Sequence, residues 1–214
     1  MKFFLVVITP VSRPENLDLL FESIYPNHRF DTKWMVVIDE TAVPNPFPRV
    51  FTMLKHLPGV YTQAGVSFYT YPSKDNGLSG NPQRNFALGK LDSWLINQDF
   101  WVYFLDDDNV MHPDFFQEMS EEIQRAPSTL GFVVDQIWRD GRIRIPAHPN
   151  RMRPTFCDTA QFLLHCSAIG EDRWDPWDYC ADGHFFSKIY RRHSDHFVFV
   201  EKRLAYYNAL RSRL

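Results

Sequence analysis

The sequence predicts an α/β protein, with an open, mostly parallel central sheet flanked by helices and a smaller mixed lobe on its C-terminal side. Three observations lead there. Short apolar runs at Phe3–Ile8, Trp34–Ile38 and Trp101–Leu105 have strand length and lack alternation, as strands covered on both faces do, and Val66–Tyr71 reads as a further strand. Segments with apolar residues at helical spacing stand between them. Three of the runs end in polar or bending residues, Thr9-Pro10, Asp39 and Asp106-Asp107-Asp108. Open sheets of this kind bind ligands at the carboxyl ends of their strands, so these groups are expected along one rim.

Taken in order, Phe3–Ile8 could pass for a signal peptide. Its apolar run stops after six residues, no small-residue cleavage site follows, and Pro10 and Arg13 come next, so it reads as a first strand. Pro14 suits a first helical position, and Leu17, Leu20, Phe21 and Ile24 recur at i, i+3, i+4 and i+7. Trp34–Ile38 and Val66–Tyr71 are the next strands. Gly77, Gly80 and Asn81 then lead to Pro82, which opens a helix with Ala87, Leu88, Leu91, Trp94 and Leu95 on one stripe. Trp101–Leu105 runs straight into the acidic triplet, and Pro113 starts a helix whose Phe115, Phe116, Met119 and Ile123 face inward. Further on, Gly131–Trp138 and Arg142–Ile145 read as a hairpin turning at Asp140-Gly141. Thr159–His165 is a strand, Glu171–Asp182 a loop rich in Asp and Trp, and Gly183–Arg192 a helix. Phe197–Val200 is a short strand, and the segment from Lys202 onward is expected to be helical.

Composition bounds the function. The 214 residues are 44% hydrophobic, with 23 basic and 26 acidic side chains and a net charge of −3. That excludes a disordered chain and argues against a nucleic-acid partner, which calls for a clustered positive excess. A chain of this length buries roughly 70% of its unfolded surface and needs no staples. The three cysteines, Cys157, Cys166 and Cys180, form neither an even set nor a CxxC, which argues against a disulfide framework and a zinc knuckle. No apolar stretch approaches the ~20 residues of a membrane span. The expectation is a soluble, cytoplasmic protein or a domain of a larger chain.

The acidic triplet carries the most chemical information. In an extended segment Asp106 and Asp108 point one way and Asp107 the other. Carboxylates crowded where a buried strand ends are costly unless a cation joins them, and oxygen ligands suit Mn²⁺ or Mg²⁺. A solvated acidic loop is the competing reading. An EF-hand is excluded, because the required Gly at the sixth position is absent whether the loop begins at Asp106 or Asp107.

Three ordered motifs now carry a resemblance: Val7-Ile8-Thr9-Pro10-Val11-Ser12-Arg13-Pro14, Gln83-Arg84-Asn85-Phe86-Ala87-Leu88 and Tyr103-Phe104-Leu105-Asp106-Asp107-Asp108-Asn109. Together they resemble glycosyltransferases of the GT-A fold, and their spacing is closest to the inverting glucuronyltransferases that build proteoglycan linkers. The likeness covers residues 3 to about 118. Beyond them only Asp158-Thr159-Ala160-Gln161-Phe162 and Ala181-Asp182-Gly183-His184-Phe185-Phe186 match loosely, so glucuronic acid specificity does not transfer.

The resemblance implies a single domain over residues 1–214, with a nucleotide-sugar half to residue 110 and an acceptor half from 111. It implies a UDP-sugar donor, a carbohydrate or glycoconjugate acceptor and a divalent cofactor. Thr9, Pro10, Ser12, Arg13, Asp39, Arg84, Asp106 and Asp107 would contact the donor nucleotide, and Asp108 would bind the metal. Asp182 would deprotonate the acceptor hydroxyl on the face opposite the leaving diphosphate. Glu171, Asp172, Asp175 and Asp178 compete for that role, and a helix N-cap fits Asp182 as well. Trp174 and Trp177 could stack on an acceptor sugar, though core packing fits each equally. His184 is an ambiguous acceptor residue, and His193 and His196 are candidates for a late metal ligand or a surface pair. A nucleotidylyltransferase shares the layered fold but usually carries a Gly-rich loop where Thr9–Arg13 has no glycine. A glycoside hydrolase and a binding module without chemistry complete the alternatives.

Overall fold

A computed structural model describes residues 3–25, 30–43, 65–74, 76–94 and 99–211. Strands β1 (Phe3–Val11), β2 (Phe30–Ile38), β3 (Val66–Thr70) and β4 (Trp101–Phe104) lie in the order β3-β2-β1-β4, all parallel. Helix α1 (Leu17–Ile24) follows β1 and helix α2 (Asn81–Trp94) leads into β4. The continuous apolar strands are explained by their two covered faces. Leu5, Val7, Trp34, Val36 and Tyr103 pack with Leu17, Leu20, Phe21 and Ile24 of α1 and with Phe115, Phe116, Met119 and Ile123 of α3 (Phe115–Arg125). Val6, Ile8, Met35, Val37, Val102 and Phe104 face the other way, onto Ala87, Leu88 and Leu91 of α2 and Phe185, Phe186 and Ile189 of α5 (Ala181–His193). Leu95, placed on the α2 stripe by its spacing, falls outside the described residues.

The sheet runs on without a break into the second half. Past β4 come β8 (Phe162–His165), β6 (Gly131–Ile137), β9 (Phe197–Tyr206) and β5 (Val110–Met111), and β7 (Ile143–Ile145) makes the hairpin with β6. Here the pairing is mixed: β4–β8, β6–β8, β6–β7 and β5–β9 are antiparallel, whereas β6–β9 is parallel. A four-residue helix, α4 (Cys166–Ile169), follows β8.

Three local expectations are corrected. The tail from Lys202 is strand, not helix, as far as Tyr206. Its helix-forming residues are overridden by the ladder to β6, by burial of Leu204 and Ala205, and by the Lys202 ammonium, which reaches Glu118 and Glu122 on α3. Thr159–Gln161 is a 3₁₀ turn rather than strand, closed by a capping box between Asp158 and Gln161. Pro14 opens a 3₁₀ turn, Pro14–Asn16, and the α-helix begins only at Leu17.

At Gly183 the first turn of α5 touches the backbone ahead of β8. A Cβ there would lie 1.6 Å from the Pro154 carbonyl oxygen. Backbone on both sides cannot yield as a side chain can. Gly183→Ala is expected to lower the melting temperature by roughly 5–10 °C in a thermal denaturation scan.

Candidate active site

The chain leaves β1 toward β2 on one side, and β4 lies on the other. The strand order therefore reverses between β1 and β4, which opens a crevice at their carboxyl ends. The acidic triplet fills it. It is a turn rather than an extended segment, closed by the Asn109 N–H donating to the Asp106 carbonyl at 3.1 Å, so the expected sharing of one side by Asp106 and Asp108 does not apply. Asp107 turns toward the end of β1. Its carboxylate accepts from the Ser12 N–H (2.6 Å), the Ser12 hydroxyl (3.0 Å), the Arg13 N–H (2.7 Å) and the Arg13 guanidinium. Asn16 donates to its carbonyl at 2.8 Å. Arg13 also lies 3.1 Å from Asp108.

Arg84 comes from the first turn of α2 and is only 2% exposed. Its guanidinium donates to the Ser79 carbonyl and to Asn81 Oδ1, each at 2.9 Å, and to Asp106. It stands 3.6 Å from Asp182 and over the Trp174 ring. Burial works against its charge, but Asp106 and Asp182 more than offset this and hold the proton on. Gly80, at φ +77°, lets this turn close against β1, since a Cβ there would lie 2.8 Å from the Pro10 ring. Asp106 accepts a second bond from the Thr159 hydroxyl at 2.9 Å.

Asp182, in the first turn of α5, lies on the other side of Arg84 from Asp106 and accepts from Trp174 Nε1 at 2.9 Å. Burial pushes its carboxyl up to about 6; Arg84 opposes the shift, and Asp106 and Asp158 add to it. The loop before it is docked on α2. Asn85 exchanges two 2.9 Å bonds with the Trp174 backbone, and Asn81 donates to the carbonyls of Asp175 and Asp178.

These groups line one cleft of about 550 Å³ that contains Pro10, Ser12, Arg13, Asp39, Arg84, Asp106, Asp107, Asp108 and Asp182. Asp39 ties the loop after β3 to the end of β2 by accepting from the Ser73 N–H and hydroxyl and the Thr41 N–H. Burial would raise its carboxyl, but those bonds hold it below the usual value. Thr9 is not at the surface of the cleft: it is fully buried and accepts from Trp34 Nε1 at 2.9 Å, because its position in β1 faces the core. Trp174 is no sugar platform either. It is 2% exposed and stacked on Phe185 at 3.6 Å. Trp177 and His184 are exposed but lie outside the lining, and His184 is bonded to Asp178. His193 and His196 are also outside it.

The rival carboxylates for the base are engaged elsewhere. Asp172 pairs with Lys188 (2.7 Å) and Arg192 (2.6 Å), Asp175 caps the Trp177 N–H, and Asp178 caps the Cys180 N–H; none of them, nor Glu171, lines the cleft. Several lining residues escaped the sequence reading. Arg144 lies 3.0 Å from the buried Asp158. Tyr207, Asn208 and Arg211 come from the segment after β9, where the Leu210 N–H donates to the Asp108 carbonyl (2.9 Å) and the Asn208 N–H to Asn109 Oδ1 (2.8 Å). The pattern Asp158-x-x-Gln161 was a readable capping signal; the tail offered none.

The donor set fits a hard cation. Asp108 is 8% exposed, and burial together with Asp106 pushes its carboxyl up to about 6 against the pull of Arg13. A divalent ion would relieve that crowding. The triplet is no three-carboxylate cage. Among the described residues the grouping with three ligand atoms within 4.8 Å is Asp99, His165 and Cys166, at the other end of β4. One or two carboxylates completed by phosphate oxygens is the usual arrangement for Mg²⁺-like ions.

No protein-family model matches the sequence, and no curated protein matches it. Solved structures do, and they share the fold of this chain. Staphylococcus aureus TarS 1–349, in complex with UDP-GlcNAc, is similar over 97% of this chain and 58% of its own, at 16% identity and a TM-score of 0.66. The mannosyltransferase PcManGT from Pyrobaculum calidifontis, in complex with GDP-Man and Mn²⁺, is similar over 99% and 59%, at 13% identity and a TM-score of 0.66. The chain thus spans about 60% of the length of these structures.

Asp107 and Asp108 separate structure from chemistry. Asp107→Ala leaves Ser12 and Arg13 donors without an acceptor and is expected to cost about 3 kcal/mol in urea unfolding. Asp108 behaves oppositely. Its carboxyl titrates higher in the fold than in the unfolded chain, so its charge works against folding above about pH 6, and the effect disappears below about pH 4. In metal-free buffer Asp108→Asn is expected to add about 1–2 kcal/mol at pH 8 and nothing at pH 4.

Proposed function

We propose that this protein is a metal-dependent glycosyltransferase that moves a sugar from a nucleotide-sugar donor, a UDP-hexose in the first instance, to a hydroxyl of a carbohydrate or glycoconjugate acceptor with inversion. The observation that carries the reading is one cleft at the carboxyl ends of parallel strands, lined by the acidic turn after β4 and by the half-buried Asp182, whose carboxyl is shifted up. The glycosyltransferase fold supports it, as do a UDP-sugar in one structural neighbour and GDP-Man with Mn²⁺ in another.

In this reading Asp108 holds the Mn²⁺ or Mg²⁺. The metal supplies countercharge for the donor diphosphate and for the charge that develops on the leaving group. Pro10, Ser12, Arg13 and Asp39 form the nucleotide end of the cleft, and Asp106 approaches the ribose. Arg84 is held by protein acceptors and acts chiefly by fixing Asp106 and Asp182 relative to each other. Asp107 is the clasp that sets Ser12 and Arg13. Asp182 takes the acceptor proton. With a carboxyl near 6 it is largely ionised at neutral pH yet more basic than an exposed aspartate. Tyr179, 82% exposed at the edge of the cleft, replaces Trp174 as the stacking surface for an acceptor sugar.

Asp108→Ala is expected to abolish the gain in donor affinity that Mn²⁺ confers, measured by calorimetry with and without the ion. Equal affinities in wild type and variant would remove the metal role. Asp182→Asn is expected to leave donor binding intact and lower turnover by at least about 100-fold. Because the base must be ionised, wild-type kcat should rise with pH through about 6, and the residual rate of Asp182→Asn should not. Slow metal-dependent hydrolysis of UDP-, GDP- and dTDP-sugars, followed by nucleotide release, identifies the donor; binding without any hydrolysis or transfer would mark a module that lacks chemistry.

A further inference from the structure

Next to the acidic cleft, and sharing Tyr207, Asn208 and Arg211 with it, lies a second hollow of about 310 Å³ between the β6–β7 turn and the segment after β9. Its charge is opposite to that of the cleft. Arg139, Arg142 and Arg211 line it with one carboxylate, Asp140, on a chain whose net charge is −3, and Arg211 also acts on Asp108 across the border with the cleft. The single ion pair there, Arg142 Nε to Asp140 at 2.8 Å, joins side chains 80% and 52% exposed, and a pair so open to water cancels little of the positive potential. Arg139 donates to the Arg211 carbonyl at 3.2 Å, which sets its guanidinium against the residue that borders both hollows. Among the described residues, neither Arg139 nor Arg211 has a carboxylate within ion-pair distance.

The floor beside these cations is aromatic. Trp138 is 41% exposed and stands edge-on to Tyr207, with ring centroids 5.2 Å apart at 83°. The Arg144 guanidinium lies 3.6 Å from the Tyr207 centroid and 5.8 Å from that of Trp138, and its pair with Asp158 fixes it. Flat apolar rings suit the C–H faces of sugars or polyols, and guanidinium forks suit carboxylate and phosphodiester oxygens. An exposed indole among three arginines, continuous with the cleft, suits a ligand that carries both sugar-like C–H faces and negative charge.

We propose that this hollow is a subsite for an anionic acceptor, a glycan or polyol chain carrying carboxylate or phosphodiester groups. Its charged unit rests on Arg139 and Arg142 beside Trp138 while a neighbouring hydroxyl enters the cleft. The word acceptor rests on the transferase reading; the anion site itself does not.

Binding to the whole protein without donor separates the two. The probes are a hexamer of galacturonic acid, its fully methyl-esterified and uncharged form, and a hexamer of glycerol phosphate, each titrated by calorimetry at 50 and 300 mM salt. At least one anionic hexamer is expected to bind about tenfold more tightly than the neutral ester, and to weaken as salt rises. The carboxylate and phosphodiester arms tell which anion is preferred. Arg139→Gln with Arg142→Gln should bring that affinity down to the level of the neutral ester and leave metal-dependent donor binding unchanged, which also reports that the variant is folded. Equal binding of charged and neutral hexamers, no binding of either anion, or an unchanged affinity in the double variant would overturn the proposal. Binding of phosphatidylglycerol vesicles with none to the hexamers would overturn it too, in favour of a lipid surface. Loss of donor binding in the wild type, with the anion site intact, would remove only the transferase reading.

Discussion

Two guanidinium groups hold the carboxylates of the cleft in place. Arg84 sits in the interior between Asp106 and Asp182, and Arg13 spans Asp107 and Asp108. Without them, several aspartates at the end of a buried strand would either take up protons or push the turn apart. Each arginine has its own anchors. The Ser79 carbonyl and the Asn81 side-chain oxygen fix Arg84, and the Asp107 clasp on the Ser12 and Arg13 N–H groups fixes Arg13. The scaffold thus keeps negative charge close together without neutralising it, and leaves Asp108 and Asp182 with carboxyls near 6. Those two residues are the ones proposed above for the metal and for the base, and perturbed carboxylates commonly mark functional sites.

Much of the fold was legible because its signals were redundant. The four strand-length segments, the three proline-opened helices and the polar strand ends all pointed to one sheet with one rim, and the parallel β3-β2-β1-β4 half follows that pattern. The second half was harder. The tail from Lys202 read as helix, yet Arg203, Ala205 and Tyr206 pair with β6, and the last two also with β5, across long sequence separations that no local pattern reveals. Asp158-x-x-Gln161 was quoted as a loose match while its capping geometry went unread.

The site divides in the same way. Residues near strand ends, such as Ser12, Arg13, Asp39 and Asp106–Asp108, could be placed by topology, since the strand fixes where each emerges. Thr9 failed because alternation along β1 turns it to the interior, beside Trp34. Trp174 failed because an aromatic residue in a polar loop has no sequence mark that separates a platform from a core plug; here its ring packs against Phe104 and Phe185 and only its N–H reaches the cleft. Tyr207, Asn208 and Arg211 belong to a tail whose approach to Asp108 depends on the whole sheet being assembled.

The first turns of α2 bond in two directions. Asn81 and Asn85 grip the 174–178 segment, while Arg84, between them in sequence, grips Asp106. The loop ahead of α5 and the acidic turn after β4 thus hang from a single bracket. Anyone grafting a foreign loop over residues 171–180 to redirect selectivity transplants half of that bracket, so such chimeras should carry their own partners for Asn81 and Asn85.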